Sequence, residues 1–169
     1  MGDYMALYTD LHTAIALAGI FSGFIVLYGL LNATRFDKWT AFFLGTTLLT
    51  SLTGFGFPFT GLLPSHIFGV LSLVLLALAI YARYLRHLAG KWRLVYVITA
   101  VFALYLNTFV AVVQSFLKIP ALRAMAPTQT EAPFVISQAL LLLIFVVVGF
   151  AASARFRIQP SGSRTAPLL

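Results

Sequence analysis

The stretch Pro64–Arg86, PSHIFGVLSLVLLALAIYARYLR, decides the class of fold. Pro64 stands at a favoured position in the first turn of a helix. The apolar run that follows is long enough to cross the hydrocarbon core of a bilayer, which requires ~20 residues. The stretch ends in Arg83 and Arg86, and the one ionisable residue near its start is His66. Because its two ends differ in charge, this helix has a direction, and a topology for the whole chain follows from it.

The composition excludes an ordinary soluble domain. The 169 residues are 61% hydrophobic and 9% charged, with a mean hydropathy of +0.99, whereas soluble domains carry about 25% charged residues. The chain has no Cys, which excludes disulfides, thiolate metal sites and a cysteine nucleophile. The net charge of +7 is explained by basic loops on one membrane face, so no nucleic-acid partner is expected.

The remaining apolar runs predict an all-α integral membrane bundle of five transmembrane helices. Strand alternation is absent, and helices are the open-chain structure that satisfies its own backbone in lipid. The acidic start of the chain is unlike a cleavable signal peptide, so the first run is expected to be a permanent helix. The predicted spans are approximately 11–31, 39–57, 64–86, 93–117 and 134–154. They form a single domain over residues 1–158, followed by a disordered cytoplasmic tail at 159–169.

The distribution of charge predicts the orientation. Short loops rich in Lys and Arg lie on the cytoplasmic side of a membrane. The opposite face holds Lys118 and Arg123 with three acids, namely Asp3, Asp10 and Glu131. The N-terminus is therefore expected outside and the C-terminus inside. The basic residues assigned to the cytoplasmic face are Arg35, Lys38, Arg83, Arg86, Lys91, Arg93, Arg155, Arg157 and Arg164.

Two histidines are candidate ligands for a cofactor. His12 and His66 each lie near the start of a helix that runs inward, so they are expected at similar depth near the outer face. Two imidazoles could hold the iron of haem b from both sides, or bind a copper or zinc ion. Alternatively, each histidine only hydrogen-bonds water, a carbonyl or Asp10. Small residues on the same helix faces are expected to let neighbouring helices approach closely: Gly19, Gly23 and Gly69.

A polar stripe on the fourth helix suggests a second kind of ligand. Gln114, with help from Gln138, could hold the carbonyl group of a quinone or another small apolar ligand. The alternative is that these amides only join helices to one another. The residues expected to support the site are Asp10, Asn107, Lys118 and Glu131. Motifs of hydrolases and nucleotide-binding enzymes are missing and carboxylates are few, so the prediction leans away from an enzyme.

Three segments carry a resemblance to a known family. They are TGFGFPF (53–59), PSHIFG (64–69) and VVQSFLKIPALRAMAPTQTEAPF (112–134). With them the chain resembles a family of small uncharacterised bacterial multi-pass inner-membrane proteins, which implies the bacterial inner membrane as its location and assigns no activity. In architecture alone it is similar to small membrane cytochromes of the b type, although those have more than one histidine pair.

Three functions stay open from the sequence. The first is a ligand or cofactor site near the outer face, of the haem b or quinone type, in a protein that takes part in electron transfer. The second is a channel or transporter for a small solute or ion, which requires a homo-oligomer because five short helices enclose little space. The third is a non-catalytic subunit or assembly factor of a larger membrane complex. In each case the lipid bilayer is an expected partner.

Overall fold

The structure, a computed structural model, describes residues 2–57 and 64–156. Within those ranges every regular element is a helix and no strand is formed, so the prediction of an all-α fold is confirmed. The helices are α1 (Gly2–Leu31), α2 (Asp37–Gly54), α3 (Pro64–Ile80, continued by a π-helical turn at Tyr81–Leu85), α4 (Trp92–Lys118), α5 (Pro120–Met125) and α6 (Ala132–Arg155).

Each of the five long helices runs antiparallel to the next long helix along the chain. Along α1 and α2, contacts pair Gly23 with Phe43 at one end and His12 with Thr53 at the other. The same inverse order relates α3 to α4, where ring contacts join Phe68 to Phe109 and Tyr81 to Trp92. It also relates α2 to α3 and α4 to α6. The bundle therefore has two ends, here called the His12 end and the Arg83 end after one residue at each.

In the described ranges, four helices are long and apolar enough to cross a membrane: α1, α3 with its π-helical turn, α4 and α6. The predicted second span corresponds to α2, an 18-residue helix that is shorter and less apolar because it is rich in Thr and Gly. At 1.5 Å per residue it is ~27 Å long. The helix α1 begins at Gly2, well before the predicted start at residue 11. The predicted tail at 159–169 lies outside the described residues.

The core lies around α4, which carries the largest set of buried residues. The helix α6 is the opposite case, because only Phe145 and Ala152 are buried along its 24 residues. Most of its other apolar side chains are exposed, with Phe150 at 76% exposure. Apolar side chains on the surface of long helices are what a bilayer accommodates, so this surface indicates contact with lipid.

A buried arginine organises the Arg83 end. The side chain of Arg83 is only 6% exposed and forms an ion pair with Asp37 at the start of α2. Its guanidinium lies 5.1 Å from the ring centre of Tyr96, which is fully buried on α4. Beyond the π-helical turn, His87 and Leu88 adopt left-handed backbone angles that end the helix. Arg83 was predicted at the cytoplasmic end of its span, and its burial and its ion pair with Asp37 were not predicted.

The segment between α4 and α6 forms an ordered cap at the His12 end. Three hydrogen bonds hold this cap. Gln129 donates to the backbone oxygen of Val113, and Glu131 accepts from the backbone N–H groups of Thr128 and Thr130. Desolvation raises the pKa of Glu131, but hydrogen bonds from its own N–H and from both threonines lower it by more, so it lies below its ordinary value.

Candidate functional site

A cavity of about 580 Å³ lies between α1, α2, α3 and α4 toward the His12 end. Most of its lining is apolar, with polar groups contributed by all four helices. This size and composition are those of small-molecule sites in proteins, which are concave, mostly apolar and 300–1,000 Å³. The lining residues that the argument below uses are Thr13, Leu17, Gly69, Val110, His12, Asn107, Gln114 and Lys118.

His12 is held in place by α2. Its ring nitrogen Nδ1 lies 2.8 Å from the hydroxyl oxygen Oγ1 of Thr53. The ring of Phe57 packs edge-on against the imidazole, with 5.1 Å between ring centres. Gly54, one residue after Thr53, leaves open the space beside carbon Cε1 of the imidazole. The histidine is thus fixed on one side by a hydrogen bond and half-buried against the cavity.

A second bond between α1 and α2 lies next to this one. The hydroxyl of Tyr8 donates to the backbone oxygen of Thr53 over 2.6 Å, and its ring contacts Phe57 edge-on. A side chain at Gly56 would collide with the Tyr8 hydroxyl, so only a glycine fits there without a shift. The backbone oxygen and the hydroxyl of Thr53 are therefore both hydrogen-bonded to α1, so two bonds join α1 to α2 beside His12.

The polar stripe of α4 forms the opposite wall. Asn107 lies at the bottom of the cavity, where its Nδ2 donates to Oγ1 of Thr47 over 3.2 Å. Gln114 and Lys118 follow toward the His12 end, and both are exposed. Asn107 thus joins α4 to α2, as an interhelical amide commonly does, while Gln114 and Lys118 offer donors to a ligand.

Seven residues of the cavity lining are also exposed on the surface of the bundle: Thr13, Leu17, Phe55, Val110, Gln114, Lys118 and Ile119. Because most of them belong to α1 and α4, we infer that the cavity opens between these two helices. Leu17 is 58% exposed and Val110 is 37% exposed. Farther from the His12 end the two helices close together, because a side chain at Gly23 would reach within 2.5 Å of Leu104. The opening is thus a slot in the apolar side of the bundle.

The other predicted ligands are not all brought to this cavity. Gln138 lies on α6, where its Nε2 donates to the backbone oxygen of Phe109 over 3.3 Å and its buried Oε1 has no partner among the described residues. Asp10 is exposed and Glu131 lies in the cap, so neither is part of the lining. His66 falls in the first turn of α3, but its side chain lies outside the described residues. One turn later, Gly69 lines the cavity.

Each of the three glycines predicted for close packing lies against a neighbouring helix. A Cβ at Gly19 would lie 3.3 Å from the hydroxyls of Thr46 and Thr47. One at Gly69 would lie 3.0 Å from the ring of Phe55. The shortest of these distances are at Gly23, where a Cβ would lie between Leu104 and Phe43. These contacts place α1 and α3 close to α2 on either side of the cavity.

Sequence reasoning missed Tyr8 and the role of Thr53. Threonine hydroxyls in a helix commonly bond carbonyls of their own helix, and those of Thr46, Thr50 and Thr53 do so. The additional bond from Thr53 to His12 could not be read from spacing, because it joins residues 41 positions apart. In the described part of the chain, no group of three His, Asp or Glu side chains is arranged to hold a metal ion.

Comparison of the chain with known protein families, with curated proteins and with solved structures finds no match in any of the three. The family resemblance noted in the sequence therefore stays a prediction, and any function rests on the geometry of the site. What the structure establishes is a helical protein with four helices apolar enough to cross a membrane and a cavity between the first four helices.

Proposed function

We propose that the chain is a membrane-embedded binding protein that holds a small, largely apolar ligand of the quinone type in the cavity between α1 and α4. The observation that carries the proposal is the cavity itself, about 580 Å³ in volume and lined by a few polar groups in an apolar wall. A quinone matches this arrangement, because its ring and tail are apolar and its head carries two hydrogen-bonding oxygens. Gln114 and Lys118 supply donors for those oxygens.

The slot between α1 and α4 supports the same proposal. An amphiphile dissolved in the bilayer would reach the cavity through this slot without crossing water. Its tail would rest between Leu17 and Val110, and its head would lie deeper, between His12 and Gln114. A water-soluble ligand would gain nothing from an entrance on an apolar side.

Haem b is the second candidate, and the bond from His12 to Thr53 favours it. Histidines that ligate metals hold their second ring nitrogen with a hydrogen bond, which orients the ring and fixes the tautomer. His12 has such a bond through Nδ1, which leaves Nε2 for iron. The second axial ligand in this proposal is His66, in the first turn of α3.

The topology proposed with this function has five membrane crossings, with the N-terminus outside and the C-terminus in the cytoplasm of a bacterial inner membrane. The antiparallel contacts of α2 with α1 and α3 support the fifth crossing, since a helix paired along its length with two spanning helices shares their depth. The Arg83 end, with Arg86, Lys91 and Arg93, would face the cytoplasm. A reporter fused after Leu169 should be active only in the cytoplasm, and activity outside would overturn this orientation.

The binding experiment uses purified protein in lipid nanodiscs, titrated with decylubiquinone by calorimetry. We expect saturable binding that weakens about five- to tenfold in Gln114→Ala, because this change removes a donor to a quinone oxygen. His87→Ala is the matched control, since His87 lies at the Arg83 end outside the cavity lining. Absence of saturable binding, or equal loss in the control, would refute the quinone proposal.

A spectrum separates haem from quinone. Protein expressed with sufficient haem should show a Soret band that shifts when dithionite reduces the iron, if haem b is the ligand. That band should disappear in His12→Ala and persist in His87→Ala. A featureless spectrum would exclude haem and leave the quinone proposal to the titration.

A further inference from the structure

We infer that the cavity prefers a ligand head that donates a hydrogen bond, a quinol or phenol, over the corresponding quinone. The inference rests on the proposed function and specifies which form of the ligand the site recognises. It follows from the hydrogen bonds of one threonine, Thr53, which determine the position of the proton on His12.

The hydroxyl of Thr53 has a single hydrogen, and that hydrogen is already used. Oγ1 lies 2.7 Å from the backbone oxygen of Leu49 and 3.3 Å from that of Thr50. A carbonyl oxygen can only accept, so the 2.7 Å contact requires the hydroxyl to donate to Leu49. Oγ1 then has only lone pairs left for its third neighbour.

That third neighbour is Nδ1 of His12, at 2.8 Å. Since Oγ1 can only accept there, Nδ1 must carry the hydrogen. The opposite assignment would place the oxygens of Thr53 and Leu49 at hydrogen-bond distance with no hydrogen between them. A neutral imidazole has one N–H, so the other ring nitrogen, Nε2, is an acceptor.

Nε2 is therefore what His12 offers to a ligand. Among the described residues no hydrogen bond engages Nε2, whereas Nδ1 is occupied by Thr53. A quinone carbonyl has only lone pairs and cannot bond to Nε2. A quinol hydroxyl can donate to Nε2 and still accept from Gln114 or Lys118. One additional hydrogen bond of this kind corresponds to binding about five- to tenfold tighter.

The experiment compares decylubiquinol with decylubiquinone in nanodiscs at pH 8 without oxygen, where an imidazole is neutral. We expect the wild-type protein to bind the quinol about five- to tenfold more tightly. In Thr53→Val the acceptor for Nδ1 is gone, so the imidazole can move its hydrogen to Nε2 and the preference should disappear. Thr46→Val is the matched control: its hydroxyl bonds to the same helix at Phe42, and it is not part of the cavity lining.

The outcomes distinguish a failure of this inference from a failure of the proposed binding function. Saturable binding of both forms with equal affinity would overturn the inference and leave the binding function standing. Absence of binding for either form would overturn both. Nitrogen-15 NMR of labelled histidine, assigned with His12→Gln, gives a readout without any ligand. We expect the hydrogen on Nδ1 in the wild-type protein, and a hydrogen on Nε2 would overturn the inference.

Discussion

Gly23 on α1 packs against Leu104 of α4, and we expect Gly23→Ala to destabilise the protein. A Cβ there would lie 2.5 Å from Cδ1 of Leu104 and 2.9 Å from Cε2 of Phe43. Both neighbours are only 1% exposed, so neither can turn aside into open space. Overpacking of this kind costs about 1–3 kcal/mol.

Gly45→Ala is the matched comparison, because it makes the same chemical change in the interior of α2. No atom lies within 4 Å of a Cβ at Gly45. Both variants gain the same helix propensity, about 1 kcal/mol for alanine over glycine, so the difference between them isolates the steric cost. We expect Gly45→Ala to be neutral or more stable than the wild-type protein. Gly23→Ala should lie about 1–3 kcal/mol below it in free energy of unfolding.

The assay is reversible unfolding by SDS in mixed micelles, followed by helical circular dichroism. Parallel slopes for the two variants would show that the unfolded states are equivalent, so the midpoints can be compared. If Gly23→Ala proves as stable as Gly45→Ala, the close approach of α1 to α4 described above is refuted. The same result would refute the closure of the slot near Gly23.

Three further predictions concern the two ends of the bundle. Asp37→Asn leaves the buried guanidinium of Arg83 without its ion pair, and we expect a loss of about 1–3 kcal/mol in SDS unfolding; no loss would show that the pair is dispensable. Because the pKa of Glu131 is lowered in the folded cap, the cap should be stable above the ordinary pKa of a carboxyl and loosen as pH falls through the lowered value. Amide hydrogen exchange of the cap should show this, and Glu131→Gln should abolish the dependence. His87→Gly removes a side chain from a left-handed position and should stabilise the protein by about 1 kcal/mol; an unchanged SDS midpoint would contradict the backbone strain.

The long helices could be predicted from the sequence because each apolar run carries its own signal. An apolar run of this length forms a helix whatever its neighbours are. The ends were harder to predict. The helix α1 extends to Gly2 through a segment with no apolar periodicity, where the hydroxyls of Thr9 and Thr13 bond to carbonyls of their own helix. Nothing in that segment breaks a helix, but nothing in its hydropathy indicates one.

The partners of polar residues could be predicted only in part. The small residues below the two histidines and the amides of α4 were located by helical spacing, and Gly69, Asn107 and Gln114 do meet in the cavity lining. Arg83 was predicted only as a cation of the cytoplasmic face, because charge counting treats every cation near a helix end alike. The structure pairs it with Asp37, 46 positions away. Such a pair depends on which helices are neighbours, and one sequence does not contain that information.

Under the proposed binding function, the slot between α1 and α4 means that a ligand competes with lipid and not with water. A cavity open to a bilayer is filled by lipid tails when no ligand is present, so binding is an exchange of one apolar occupant for another. Lipid tails are as apolar as leucine side chains, and the tail of a ligand therefore gains little by moving from the bilayer to the wall near Leu17. Selection among membrane solutes falls to the few polar atoms near His12 and Gln114, and occupancy follows the mole fraction of the ligand in the membrane rather than its concentration in water.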